Sequence, residues 1–150
     1  MKRRRLLGAL GAILALPARA IAQPVNAHVN PIDPLIWSIT QGRPVRPGRV
    51  TLDLPKIAES GHSVAMTVSV ASPMTEAEHV RAIHLIAEKN PVREMASFYF
   101  GPYAVQAEVS SRIRLNGSQR VVAIGELSDG TFWSAAADIE VVEAACTEEG

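Results

Sequence analysis

Three observations predict an all-β chain, an immunoglobulin-like antiparallel β-sandwich of about seven strands with a short N-terminal helix. Apolar residues recur with period two along several short runs, which puts one face of each run in a core and the other in water. Asn116-Gly117 and Asp129-Gly130 fall between such runs, and both dipeptides tolerate the positive φ of tight hairpin turns. Glycine and proline punctuate the rest at short intervals, as in sandwiches of this type. With 150 residues, 47% of them hydrophobic, there is room for one domain with a real core, and the composition is not that of a disordered chain.

Taken in order, the chain opens on an address. Lys2-Arg3-Arg4-Arg5 is a basic n-region, Leu6 to Leu16 an apolar h-region, and Pro17-Ala18-Arg19-Ala20-Ile21-Ala22 offers small residues for cleavage after Ala20 or Ala22. Eleven apolar residues are too few to cross a bilayer, so residues 1–22 read as a signal peptide and not as a membrane anchor or a buried helix. Arg3-Arg4-Arg5-Leu6-Leu7 fits the twin-arginine pattern. Export to a bacterial periplasm follows. The first 22 residues hold five basic and no acidic side chains, so the rest has ten basic against fifteen acidic, a net −5. A mildly acidic body gives no encouragement to nucleic-acid binding, which wants clustered positive charge.

Residues 23–143 read as the sandwich. Asp33 is a good N-cap and Pro34 a good first helical residue, so Pro34 to Gln41 is a short helix closed by Gly42. The prolines of Arg43-Pro44-Val45-Arg46-Pro47-Gly48 make it a connector. Strands follow at 49–54, 63–70 and 105–115 with clean alternation, and at 80–87, 95–100, 120–127 and 131–142 with less. Glu59-Ser60-Gly61 and Lys89-Asn90-Pro91 mark connections, and 71–78 is a loop or a single turn.

The body carries little chemistry. His28, His62, His79 and His84 make no metal-ligand spacing, and no nucleophile elbow, P-loop or dinucleotide fingerprint occurs; no cofactor or metal is implied. Glu76 and Glu78 read as solvated, and Phe98 to Tyr103 as core and strand end in preference to a recognition patch. Of Phe132 and Trp133 one ring should face the core and the other outward, a hint of a protein partner.

The exception is Cys146, the single cysteine, just past the last apolar run. In an oxidising compartment one cysteine cannot close an intrachain bridge, so it points to an intermolecular partner or a thiol with a task. Residues 144–150 read as a mobile arm, with Ala144, Ala145 and Thr147 flanking the thiol.

Several ordered segments, VTLDLPKIAESGHSVAMTVSVASPMT, AIHLIAEKNP, EVSSRIRL and ELSDGTFWSA with the following IEVV, together with the late cysteine, resemble the SoxY family over roughly Pro34 to Cys146. Its members are the substrate-carrying subunits of the periplasmic thiosulfate-oxidising Sox system. The resemblance implies a sandwich paired with a SoxZ-like subunit. It also implies covalent attachment of thiosulfate-derived sulfur at Cys146 while separate Sox-type enzymes load, oxidise and hydrolyse it. The family's arm ends in Gly-Gly-Cys-Gly-Gly; here the flanks are Ala144-Ala145 and Thr147-Glu148-Glu149-Gly150, bulkier and more acidic. The carrier reading makes the chain no enzyme. The residues also allow an exported binding module whose cysteine forms only an intermolecular disulfide, and a metal chaperone using Cys146 with a histidine.

Overall fold

A computed structural model describes residues 33–145. The signal segment at 1–22, and Cys146 and Thr147 of the arm, lie outside the described residues.

The element order is α1 (Pro34–Thr40), β1 (Val45–Pro47), β2 (Val50–Asp53), β3 (Ile57–Ser60), β4 (Val64–Val70), β5 (Val80–Ala87), β6 (Glu94–Tyr99), β7 (Ala107–Ile113), β8 (Gln119–Leu127) and β9 (Phe132–Glu143). All seven expected strands and the helix are present, within a residue or two at most ends. Two short strands, β1 and β3, are additional. The strands form two sheets: β1-β9-β8-β5-β6 with β3 also on β9, and β2-β4-β7. The long pairings are antiparallel, whereas β1 and β3 run parallel to β9, against its first and last residues.

Three layers result. Between the sheets lie Val64, Met66, Val68 and Val70 of β4, Ile83 and Leu85 of β5, Val121 and Ala123 of β8, and Ile139 and Val141 of β9. On the outer face of the larger sheet α1 sets Ile36 against Ile86, Val122, Ile124 and Phe132. β5 and β8 are therefore buried on both faces, which is why their sequences read as near-continuous apolar runs. β4 has one face in water and alternates strictly.

The helix is fixed at both ends. The Asp33 carboxylate accepts the Leu35 N–H at 3.0 Å, and Gln41 closes the helix in the left-handed region at φ 54°. The same carboxylate receives both terminal nitrogens of Arg93, at 2.6 and 3.2 Å, so the cap also pins α1 to the turn before β6. The Arg93 guanidinium beside Asp33 holds that carboxyl below its usual range.

One expected hairpin is corrected. Asp129-Gly130 does join paired strands, β8 and β9. Asn116-Gly117 does not: β7 lies in the smaller sheet and β8 in the larger, so this turn carries the chain from one layer to the other. Gly117 still uses its positive φ of 81°. The crossing is set by Leu115, fully buried, and by the Asn116 N–H, which donates to the Asn90 side chain at 2.9 Å. Local turn chemistry was the same in both cases; the burial of Leu115 decided which became a hairpin.

Candidate functional site

β9 leads directly to the tail that carries the thiol, and the place where it leaves the body is closely built. The Gly61 N–H donates to the Glu143 carbonyl at 2.7 Å, the Leu115 N–H to the Gly61 carbonyl at 2.9 Å, and the Ala145 N–H to the Leu115 carbonyl at 3.1 Å. Three backbone segments thus meet in a chain of hydrogen bonds. Gly61 permits it: a Cβ there would stand 2.1 Å from the Leu115 oxygen and 3.0 Å from the Ala145 nitrogen.

Side chains brace the same end. Ser118 Oγ accepts the Val141 N–H at 2.9 Å. Asn90 Oδ1 accepts from Gln119 Nε2 at 2.9 Å, and Asn90 Nδ2 donates to the Arg114 carbonyl at 2.9 Å. Gln119 is buried, and its Oε1 accepts the Lys89 N–H at 2.8 Å, so its amide is used at both ends. This network ties the β5–β6 turn to the crossing between layers and holds Leu115 where it can receive Ala145.

Of the expected arm, 144–150, only its first two residues are described. Ala144 and Ala145 are half-buried, and Ala145 is hydrogen-bonded to the body. The physical reason is an edge effect: β9 ends beside two segments with free backbone groups, and small side chains let it stay close to both. Cys146 follows as the next residue in the sequence.

The other candidate residues lie elsewhere. Glu78 is paired with Arg49 at 2.6 Å, and Glu76 accepts from the exposed Tyr103 hydroxyl. Phe98 and Phe100 are half-buried against the main core, as expected, while Tyr99 and Tyr103 are exposed. Phe132 and Trp133 do face opposite sides of β9, but neither is free. Phe132 is buried under α1, and Trp133 packs on the main core beneath Arg46 and Arg49, whose guanidinium carbons lie 5.7 and 5.1 Å from its ring. The indole N–H donates to Thr131 Oγ1 at 3.1 Å. The outward ring that hinted at a partner is covered by arginines from the connector.

Of the histidines, His79 bonds the Thr75 carbonyl at 3.0 Å, His62 is exposed beside Gly61, and His28 lies outside the described residues. His84 is buried, its Nδ1 2.8 Å from Ser97 Oγ. Ser97 in turn donates to Glu94 at 2.7 Å. The order is wrong for nucleophilic catalysis: the hydroxyl proton is committed to the carboxylate, not to the imidazole. Among the described residues no three His, Cys, Asp or Glu side chains gather as a metal site.

The fold and this terminus define a class: a β-sandwich that closes around β9 and holds the end of that strand beside a buried crossover. A family model described as sulfur oxidation protein SoxY matches residues 38–146, so the match runs from the helix through the cysteine. The chain belongs to the SoxY family.

Among solved structures, the sulfur carrier protein SoxY from Chlorobium limicola f thiosulfatophilum is similar, at TM-score 0.61 and 24% identity. The match covers 71% of this chain and 92% of that one. A superoxide reductase (neelaredoxin) from Ignicoccus hospitalis matches at TM-score 0.56 and 23% identity over 61% and 78% of the two chains. A putative superoxide reductase from Thermotoga maritima matches at 0.54 and 20% over 65% and 87%. These likenesses are of fold. No curated protein matches the chain.

Proposed function

We propose that this chain is a sulfur carrier of thiosulfate oxidation, holding its cargo covalently on Cys146 and offering it to separate enzymes. The observation that supports this most is that the family match runs through residue 146, directly beyond the hydrogen-bonded root at Ala145. A carrier needs a reactive atom outside the body and a fixed body behind it, and this arrangement suits both needs.

Loading is an oxidative conjugation. The Cys146 thiolate and the outer sulfur of thiosulfate form a new S–S bond, giving a cysteine S-thiosulfonate, and two electrons pass to a partner oxidoreductase. The thiolate is the nucleophile, so a cation near the tail favours loading and an anion opposes it. Glu148 and Glu149 stand on the unfavourable side, but in water such charges act through about 1 kcal/mol or less. They slow loading and do not prevent it. The setting we infer is the periplasm, reached through removal of the signal at 1–22, with a SoxZ-like subunit as partner.

Intact mass of the purified protein tests this reading. After exposure to thiosulfate and its oxidising partners, Cys146 should carry added sulfur or a sulfonate, and Cys146→Ser should carry nothing and abolish turnover. Only monomer and disulfide-dimer masses would instead establish a binding module that uses the cysteine as a crosslink.

A further inference from the structure

The stretch that links α1 to β2 carries three arginines, Arg43, Arg46 and Arg49. Arg49 is paired with Glu78, and Arg81, Arg93 and Arg120 also have carboxylate partners. Arg43 and Arg46 have none within ion-pair distance among the described residues, although residues 23–150 are acidic overall. Both are held in place by other means. Arg43 donates to the Gly130 carbonyl at 3.2 Å, and its guanidinium carbon lies 5.9 Å from the centre of the Phe132 ring. That of Arg46 lies 5.7 Å from the centre of the Trp133 ring. The backbone beneath is fixed as well, because Arg46 stands opposite Trp133 in the β1–β9 register and Pro44 and Pro47 stiffen the connector.

The two side chains converge on a pocket of about 190 Å³, lined by Arg43, Pro44, Arg46, Gly130 and Thr131. Gly130 makes room for the first of them, since a Cβ there would stand 2.8 Å from Arg43 Nη1. The Asp129 carboxylate is close by, but its Oδ1 already accepts the Thr131 N–H at 2.9 Å and the Thr131 hydroxyl at 2.7 Å. Its single charge offsets one guanidinium of the two, and a positive surplus faces the pocket.

We propose that this pocket binds a small divalent oxyanion of the sulfate or thiosulfate kind, held without a covalent bond between the Arg43 and Arg46 guanidiniums. A guanidinium fork matches the paired oxygens of such an ion, and one already settled on an aromatic ring loses less freedom on binding than a loose one. The pocket is smaller than the roughly 300–1,000 Å³ usual for cofactors and drug-sized ligands, which suits a single ion with its water. The site is separate from the thiol. Trp133 lies near the start of β9 and Glu143 at its end, a distance on the order of 30 Å along the strand. The inference therefore stands whether or not Cys146 carries sulfur.

An NMR titration tests this, on the full chain carrying Cys146→Ser so that nothing reacts at the thiol. As sodium sulfate or sodium thiosulfate replaces sodium chloride at constant ionic strength, the Gly130 and Thr131 amide resonances should shift and saturate. Half-saturation is expected on the order of 1–10 mM, within reach of two solvent-facing arginines. Arg43→Gln and Arg46→Gln should each weaken binding severalfold, and the double variant by about tenfold or more. Arg49→Gln removes a guanidinium from the same Trp133 ring but not from the pocket, and should leave the affinity within about twofold. Shifts that never saturate, shifts that sodium acetate reproduces, or an equal loss in Arg49→Gln would mean general screening by salt and overturn the proposal. Unchanged binding in the Arg43 and Arg46 variants overturns it as well.

Discussion

At Gly61 the missing Cβ is what allows three backbone segments to meet. Any side chain there would push on the Leu115 carbonyl, the acceptor for Ala145, and backbone cannot yield as the tip of a lysine could. Gly61→Ala should therefore lower stability by about 1–3 kcal/mol, as overpacking does, measured by urea unfolding. A control separates this from ordinary backbone stiffening. Gly101→Ala, at a position where a Cβ meets nothing within 4 Å, should change the midpoint little. Amide exchange at Ala145 should rise in the Gly61 variant and not in the control. Trp133 makes a second point at this scale. Its position on the strand is set by alternation, but its cover comes from Arg46 and Arg49, and no local pattern announces that.

Among the elements, α1 has an attachment that responds to pH. Asp33 both caps the helix and holds Arg93, and its carboxyl titrates below its ordinary value because the guanidinium favours the charged form. A folded pKa below the unfolded one contributes stability that is present above the unfolded value and lost as pH falls through the folded one. Asp33→Asn keeps a competent cap and removes the charge. The variant should be less stable by about 1 kcal/mol from pH 5 to 8, because Arg93 is partly solvated and the pair correspondingly weakened. Below about pH 4 the two proteins should converge, which thermal unfolding across pH would reveal. Thr131 holds the Asp129 carboxyl low in the same sense through its hydroxyl and N–H, but at an exposed turn where less follows for stability.

For the whole molecule, the legible part was what repeats locally. Period two exposed seven strands, and Asp33-Pro34 with Gly42 exposed the helix, because caps and alternation act within a few residues. β1 and β3 were not legible. Val45-Arg46-Pro47 and Ile57-Ala58-Glu59-Ser60 are too short to show a period, and both exist because β9, remote in sequence, offers them an edge. The root of the tail was hidden for a similar reason: backbone hydrogen bonds among Gly61, Leu115 and Ala145 leave no side-chain signature. That root shortens the thiol's reach, since the chain is held to within one residue of Cys146. Inserting two glycines between Ala145 and Cys146 adds roughly 7 Å of tether. Loading by partner enzymes should speed up severalfold while the unfolding midpoint stays put; unchanged loading would mean that reach does not limit the transfer.

The central place of β9 has a bearing on biogenesis. Among the described residues β9 is the last strand to be synthesised, and it is also the one against which β8, β1 and β3 assemble. A nascent chain that lacks β9 leaves the edge of β8 open and β1 and β3 without a partner. Closure of the larger sheet is thus a late step in the making of this domain, and the earlier strands wait for it.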